Sequence, residues 1–205
     1  MPPLSPLFPL FVKLAGRDVL VVGGGAMAAV RVRQLAEAGA RVRVVAPSVS
    51  TEASAGAAEV SRRAFTPRDV DGAWLVVAAA TPAVNAAVSA AADARGVLVN
   101  AVDDPSHATA YTASVVRRGG AVIAISTEGR APALAALLRE AIDALLPADL
   151  ARWVAVAERE RAAWKRDGVA MGERKPLLLQ ALDALYRRAR GRAEAAAPEG
   201  PPPSA

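Results

Sequence analysis

One stretch constrains this chain more than any other: Asp18-Val19-Leu20-Val21-Val22 runs straight into Gly23-Gly24-Gly25. A short β-branched run closed by glycines reads as a buried parallel strand. The glycines open into AMAAVRVRQLAEA, where Ala28, Val32, Leu35 and Ala36 share one helical stripe, and Gly39 follows as the expected C′ residue. Arg41-Val42-Arg43-Val44-Val45 then alternates and stops at Pro47, a second strand. Strand, glycine turn, helix and strand make one βαβ unit. Gly23, Gly25 and Ala28 fill a G-x-G-x-x-A pattern. In that pattern the first glycine permits the tight turn, the second lets a pyrophosphate approach the backbone, and the alanine keeps helix and strand close. The competing reading is a structural glycine turn that binds nothing. An acidic residue about 20 positions on usually holds the ribose hydroxyls. Here the second strand ends Val45-Ala46-Pro47-Ser48, so this logic does not separate NAD from NADP.

The rhythm continues. Ala73 to Ala78 is an apolar strand stopped by Thr81-Pro82, and residues 83–94 form an alanine-rich helix closed by Gly96. Val97 to Asn100 is a further strand ending in Ala101-Val102-Asp103-Asp104-Pro105. Alternating strands and helices predict a doubly wound parallel sheet with ligands at the strands' carboxyl ends. TASVV, the turn RRGG and AVIAIST then read as two strands tightly joined. Three helices follow: ALAALLREAIDALL, DLARWVAVAERERAAWKRD, and one started by Pro176. The expected fold is α/β. A Rossmann-like parallel sheet occupies residues 1–110, and a strand-pair and helix dimerisation region 111–146. A helical domain spans 147–192 and a disordered tail 193–205.

Composition removes several functions. The chain has 205 residues and no Cys, which excludes a disulfide framework, a thiolate metal site and a cysteine nucleophile. Aromatics at 4% argue against a base-stacking platform. A net charge of +5 invites a partner rich in negative charge, although arginine-rich solvated helix faces explain it equally well. No run approaches the ~18 apolar residues of a membrane helix, and the proline-broken, uncharged start MPPLSPLFPLF is not a signal peptide. There is no serine elbow, no HExxH and no His–carboxylate cluster at metal spacing, so no protein-held metal is expected. Neither nucleic acid nor membrane is an expected partner.

Asp103 and Asp104 are expected just past the carboxyl end of a central strand, where a carboxylate serves as a proton acceptor; an Asp-Pro turn explains them equally. His107 is the only histidine, and a surface role is its default. Arg118 and Arg130, with Thr127 in the STEGRAP turn, are candidates for holding an anionic substrate, against solvated surface as the alternative.

Taken together, these blocks resemble the siroheme synthase N-terminal domain family, whose members are precorrin-2 dehydrogenases and, in some cases, sirohydrochlorin ferrochelatases. The matching text is LFPLFVKLAGRDVLVVGGG, GARVRVVAP, WLVVAAATPAVN, VLVNAVDDP and VVRRGGAVIAISTEGRAPALAALLREAIDALLP, from about Leu7 to Pro147. The resemblance implies NAD as oxidant, precorrin-2 as substrate, sirohydrochlorin as product for siroheme or cobalamin synthesis, and a cytoplasmic homodimer. It makes Asp103 the general base. It places NAD against the Gly23-Gly24-Gly25 loop with Ala26 and Met27, against Pro47 and Ser48, and near Thr81. The chain departs from the family at Val30-Arg31, Tyr111, Thr127 and Ala131. A non-catalytic dinucleotide-binding module of the same fold is the alternative, and a substrate-dependent rise in NADH absorbance separates the two.

Overall fold

The computed structural model describes residues 7–195. Strand β1 (Asp18–Val22) leads through the glycine turn to α1 (Ala26–Glu37) and β2 (Arg41–Val45). A short α2 (Thr51–Ala55), β3 (Glu59–Ser61) and a 3₁₀ turn (Pro67–Val70) follow, then β4 (Leu75–Ala78), α3 (Pro82–Asp93) and β5 (Leu98–Ala101). The five strands are all parallel, in the order β3-β2-β1-β4-β5. The doubly wound sheet expected from the sequence is therefore present. Alternation along β1 explains it. Leu20 and Val22 pack with Val88 and Ala92 of α3 on one face, and Val21 packs with Ala28 and Val32 of α1 on the other. Each buried valine contributes about 1.5–3 kcal/mol, which aliphatic side chains supply without aromatics.

Several sequence expectations change. α2 and β3 escape the pattern because β3 is three residues long, reads Glu-Val-Ser, and pairs only with β2 at the sheet edge. β5 is not a central strand but the opposite edge. Its outer side is covered by the following loop: Thr109 and Ala110 both donate N–H to the Val99 carbonyl at 2.9 Å, and Val99 N–H donates to the Thr109 hydroxyl at 2.9 Å. The last helix does not start at Pro176 but at Met171, with Pro176 inside it. Proline's fixed φ suits a helix, and its lost N–H leaves only the Gly172 carbonyl without its intrahelical partner. That helix also runs to Ala195, so residues 193–195 are helical; the rest of the expected tail lies outside the described residues.

The chain divides into two compact units, the first through Ala113 with Ser126–Ala135, the second Ser114–Ile125 with the residues from Ala136 onward. In the second, β6 (Ser114–Arg118) and β7 (Ala121–Ile125) pair antiparallel across Gly119-Gly120, whose φ values of +56° and +86° suit a two-residue hairpin turn. Helix α4 (Pro132–Leu145) begins in the first unit and ends in the second. α5 (Leu150–Arg166) and α6 (Met171–Ala195) are pinned by Trp153, which donates to the Tyr186 hydroxyl, which in turn donates to Asp149 at 3.0 Å.

The β3–β4 connection is fixed by buried Asp69. Arg63 donates to it at 2.8 Å and Thr66 N–H at 2.7 Å. The Arg63 guanidinium holds its carboxyl at about 2, below the usual 3.8, against the opposing effect of burial. A carboxylate with a depressed folded-state pKa stabilises the fold above its unfolded pKa and loses that contribution as pH falls through the folded value. Asp69→Asn is expected to lower unfolding free energy by about 1–2 kcal/mol at neutral pH, Arg63 being half-exposed. The difference from wild type should shrink between about pH 4 and pH 2 in urea titrations; a pH-independent difference would contradict this origin.

Candidate functional site

The carboxyl ends of β1, β4 and β5 open onto one cavity of about 550 Å³. Met27 from α1, Ala79 and Ala80 after β4, and Val102 after β5 give it apolar walls. Asp103, Asp104 and His107 supply its ionisable groups. β1 and β4 are neighbours whose onward connections run to opposite sides of the sheet, so the cavity lies beside the point where strand order reverses. Open α/β sheets bind ligands there.

The three glycines do different work. Gly23 has φ +129°, and a Cβ on it would collide with the Ala79 carbonyl. A Cβ on Gly24 would collide with the Ser48 carbonyl and lie 2.7 Å from the Val49 Cα. Both are needed so that the β1, β2 and β4 loops can touch. Gly25, by contrast, has nothing within 4 Å of a Cβ position, so open space lies over it. Gly25 is also the N-cap of α1, with no side-chain cap and no acidic residue in the first turn. The N–H groups of Ala26, Met27 and Ala28 are left for an anion, and the helix dipole favours one. This cradle fits a dinucleotide pyrophosphate. Pro47 and Ser48 are exposed at the end of β2, where a ribose would lie. Thr81 caps α3 with its carbonyl accepting from Asn85 N–H at 2.9 Å.

Asp103 sits in the left-handed region, φ +57°, and is exposed. Non-glycine residues held there are uncommon and cluster at functional sites. The other non-glycine residue with positive φ is Glu128, also +57°. Its turn packs against the Asp103 loop, since a Cβ on Gly129 would meet the Tyr111 ring at 3.4 Å and Pro105 at 3.6 Å. Tyr111 donates its hydroxyl to the Pro105 carbonyl at 3.1 Å. The structure thus brings Thr127 and Arg130 into the same unit as Asp103. Thr127 Oγ1 accepts from Ala131 N–H at 3.2 Å, and Arg130 pairs with Glu128 at 2.9 Å. Arg118 lies in the second unit, donating to the Leu146 carbonyl at 3.0 Å and pairing with Asp143 at 2.9 Å.

Three sets of contacts were not foreseen from the sequence. Buried Asn85 accepts from Ala80 N–H at 3.1 Å and so sets the β4–α3 loop over the cavity. Arg31 is half-buried on α1; burial pushes its pKa down and the Asp103 carboxylate opposes the shift. Its Nε is buried with no partner among the described residues, an open donor for an anionic oxygen. Asp104 is not merely a turn residue. Ser106 donates to one oxygen at 2.7 Å and His107 Nδ1 lies 2.8 Å from the other. The Ser106 hydroxyl and then the His107 ring hold the Asp104 carboxyl below its usual range. The spacing D-P-S-H, a turn that folds back within three residues, was the available signal.

Comparison with known proteins decides the family. Residues 10–114 match the NAD(P)-binding family model. The chain belongs to this NAD(P)-binding family. Residues 123–145 also match the central region of sirohaem biosynthesis proteins. Siroheme synthase 1 of Yersinia enterocolitica is 45% identical over 172 residues, which is 82% of this chain and 36% of that protein. Siroheme synthase of Photorhabdus laumondii is 39% identical over 183 residues, 87% of this chain and 39% of that protein. The chain therefore spans little more than a third of the curated relatives it matches. Among solved structures, SirC, a precorrin-2 dehydrogenase, superposes with a TM-score of 0.65 at 26% identity, covering 88% of this chain and 92% of SirC. The resemblance read from the sequence blocks is borne out, and so are the fold class and the expectation of a nicotinamide dinucleotide as cofactor.

Proposed function

We propose that this chain oxidises precorrin-2 to sirohydrochlorin with NAD in siroheme or cobalamin biosynthesis. The observation that carries the reading is one cavity lined both by Met27, two residues after the open Gly25 position, and by Asp103, in a chain whose fold matches SirC over nearly its whole length. NAD, when bound, supplies the two-electron hydride acceptor. The Gly25–Met27 backbone would hold the pyrophosphate, and the loop at Ala80 and Thr81, braced by Asn85, would help to hold the rest of the dinucleotide. Apolar Met27 and Val102 limit water there. Asp103 accepts the proton that the macrocycle gives up as hydride leaves.

Thr127, Arg130 and Arg118 are proposed to hold substrate carboxylates. Breaking the Arg130–Glu128 pair costs little, because both partners are near the surface. Metal insertion into sirohydrochlorin extends the proposal, with the metal as substrate and relatives named siroheme synthases as its support. Anaerobic incubation with precorrin-2 and NAD, followed by Co²⁺, tests both: NADH appears in the first step and the cobalt chelate spectrum in the second. Absence of the chelate spectrum after NADH has formed removes only the extension.

A homodimer is proposed through residues 111–146, in the cytoplasm. A two-stranded ribbon is marginal alone, and Val122 of β7 with Leu134, Leu137, Leu138 and Leu145 of α4 are exposed. Apolar side chains left exposed in this number mark interfaces. Sedimentation at micromolar concentration is expected to give twice the 21.0 kDa chain mass; a monomer would contradict it. Among the described residues no helix is long and apolar enough to cross a membrane.

A further inference from the structure

His107 is the only histidine in the chain, and it is built in rather than adventitious. Its carbonyl accepts from the Ser89 hydroxyl at 2.9 Å, and Ser89 is 6% exposed on α3. Its Nδ1 lies 2.8 Å from Asp104, whose other oxygen is held by Ser106. Backbone and ring are thus both fixed, so little side-chain entropy remains to be lost on binding. His107 lines the cavity, and among the described residues Nε2 has no hydrogen-bond partner.

The charges around it are unbalanced. Asp103 faces the cavity from the end of β5, Asp104 from the same turn as His107, and α3 presents only uncharged Ser89 and Asn85. Arg31 on α1 acts on Asp103. Of the side chains lining the cavity, His107 alone can become a cation. A ligand bearing carboxylates meets two aspartates there unless that cation forms.

We propose that His107 binds a carboxylate of the tetrapyrrole substrate through Nε2, as an imidazolium held between that carboxylate and Asp104. The proposal rests on the dehydrogenase reading for the identity of the ligand. Neutral imidazole offers Nε2 a lone pair, which repels a carboxylate. Protonation turns it into a charge-assisted donor. His107 is a binding and positioning residue here, with Asp103 kept as the proton acceptor of the reaction.

A lone histidine makes the test direct. In ¹⁵N-labelled protein, long-range ¹⁵N–¹H correlation should show the ring signals move to the imidazolium pattern, with Nε2 carrying a proton, as sirohydrochlorin is added. His107→Gln should raise KM for precorrin-2 about tenfold while kcat and NAD affinity stay within about twofold, and His107→Lys should recover most of the loss. Ring signals unmoved by saturating sirohydrochlorin overturn the proposal. So does a His107→Gln protein that loses kcat with KM unchanged, which would make the ring a base. Should the wild-type protein form no NADH, the dehydrogenase reading falls, and the sirohydrochlorin titration still decides for or against this carboxylate site.

Discussion

Asp103→Asn is expected to lower kcat for precorrin-2 oxidation by roughly 10²–10⁴ while leaving NAD affinity unchanged. Asparagine is the right replacement for a backbone reason. Position 103 has φ +57°, and Asn tolerates that conformation better than any other residue of similar size. Alanine would add backbone strain of about 1 kcal/mol and confound the loss of the carboxylate. Asp103 lines the cavity without belonging to the Asp104–Ser106–His107 network, so its removal leaves that network standing. Near wild-type kcat in Asp103→Asn, with loss of kcat in Asp104→Asn or His107→Ala, would move the proton acceptor to the neighbouring pair. Retention of kcat in all three would leave catalysis to cofactor positioning.

Gly25→Val is expected to weaken NAD binding by about 100-fold, about 2.7 kcal/mol, with the fold intact. Gly25 has φ −86°, which valine adopts, and its Cβ would enter open space. The added methyls would then occupy the volume needed by the pyrophosphate. Gly23 and Gly24 are poor sites for the same test. A side chain at either meets backbone of Ala79 or Ser48, so the loops would have to part before any question of NAD arises. Calorimetry with the folded Gly25→Val protein checks the prediction; unchanged affinity would show that the loop holds no dinucleotide.

The βαβ start was legible because three independent signals agree there: a β-branched run, glycines with forced geometry, and a helical stripe ending at Gly39. The hairpin was legible from RRGG alone, since only glycines enter its two positive-φ positions cheaply. β3 was not, because a three-residue polar edge strand is specified by its neighbour β2 rather than by its own residues. The mistaken centrality of β5 has a related cause: apolar runs at a covered edge read like central ones, and the cover comes from Thr109 and Ala110, polar and small. At the site, residue types pointed to Asp103, but its left-handed backbone and the Asp104–His107 contact arise only once the loop folds back on β5. Arg118 shows the opposite limit. Its charge marked it as a candidate for holding substrate, but its contacts to Asp143 and the Leu146 carbonyl come from the fold and could not be read from the residue type.

Anaerobic incubation of the wild-type chain with precorrin-2 and NAD, followed at the NADH absorbance band and by the tetrapyrrole spectrum, addresses the central claim most directly. The account predicts NADH and sirohydrochlorin appearing together in equal amounts, with no reaction when NAD is left out. A folded protein that binds NAD yet forms neither product from precorrin-2 would contradict it and leave the chain a dinucleotide-binding module without this chemistry.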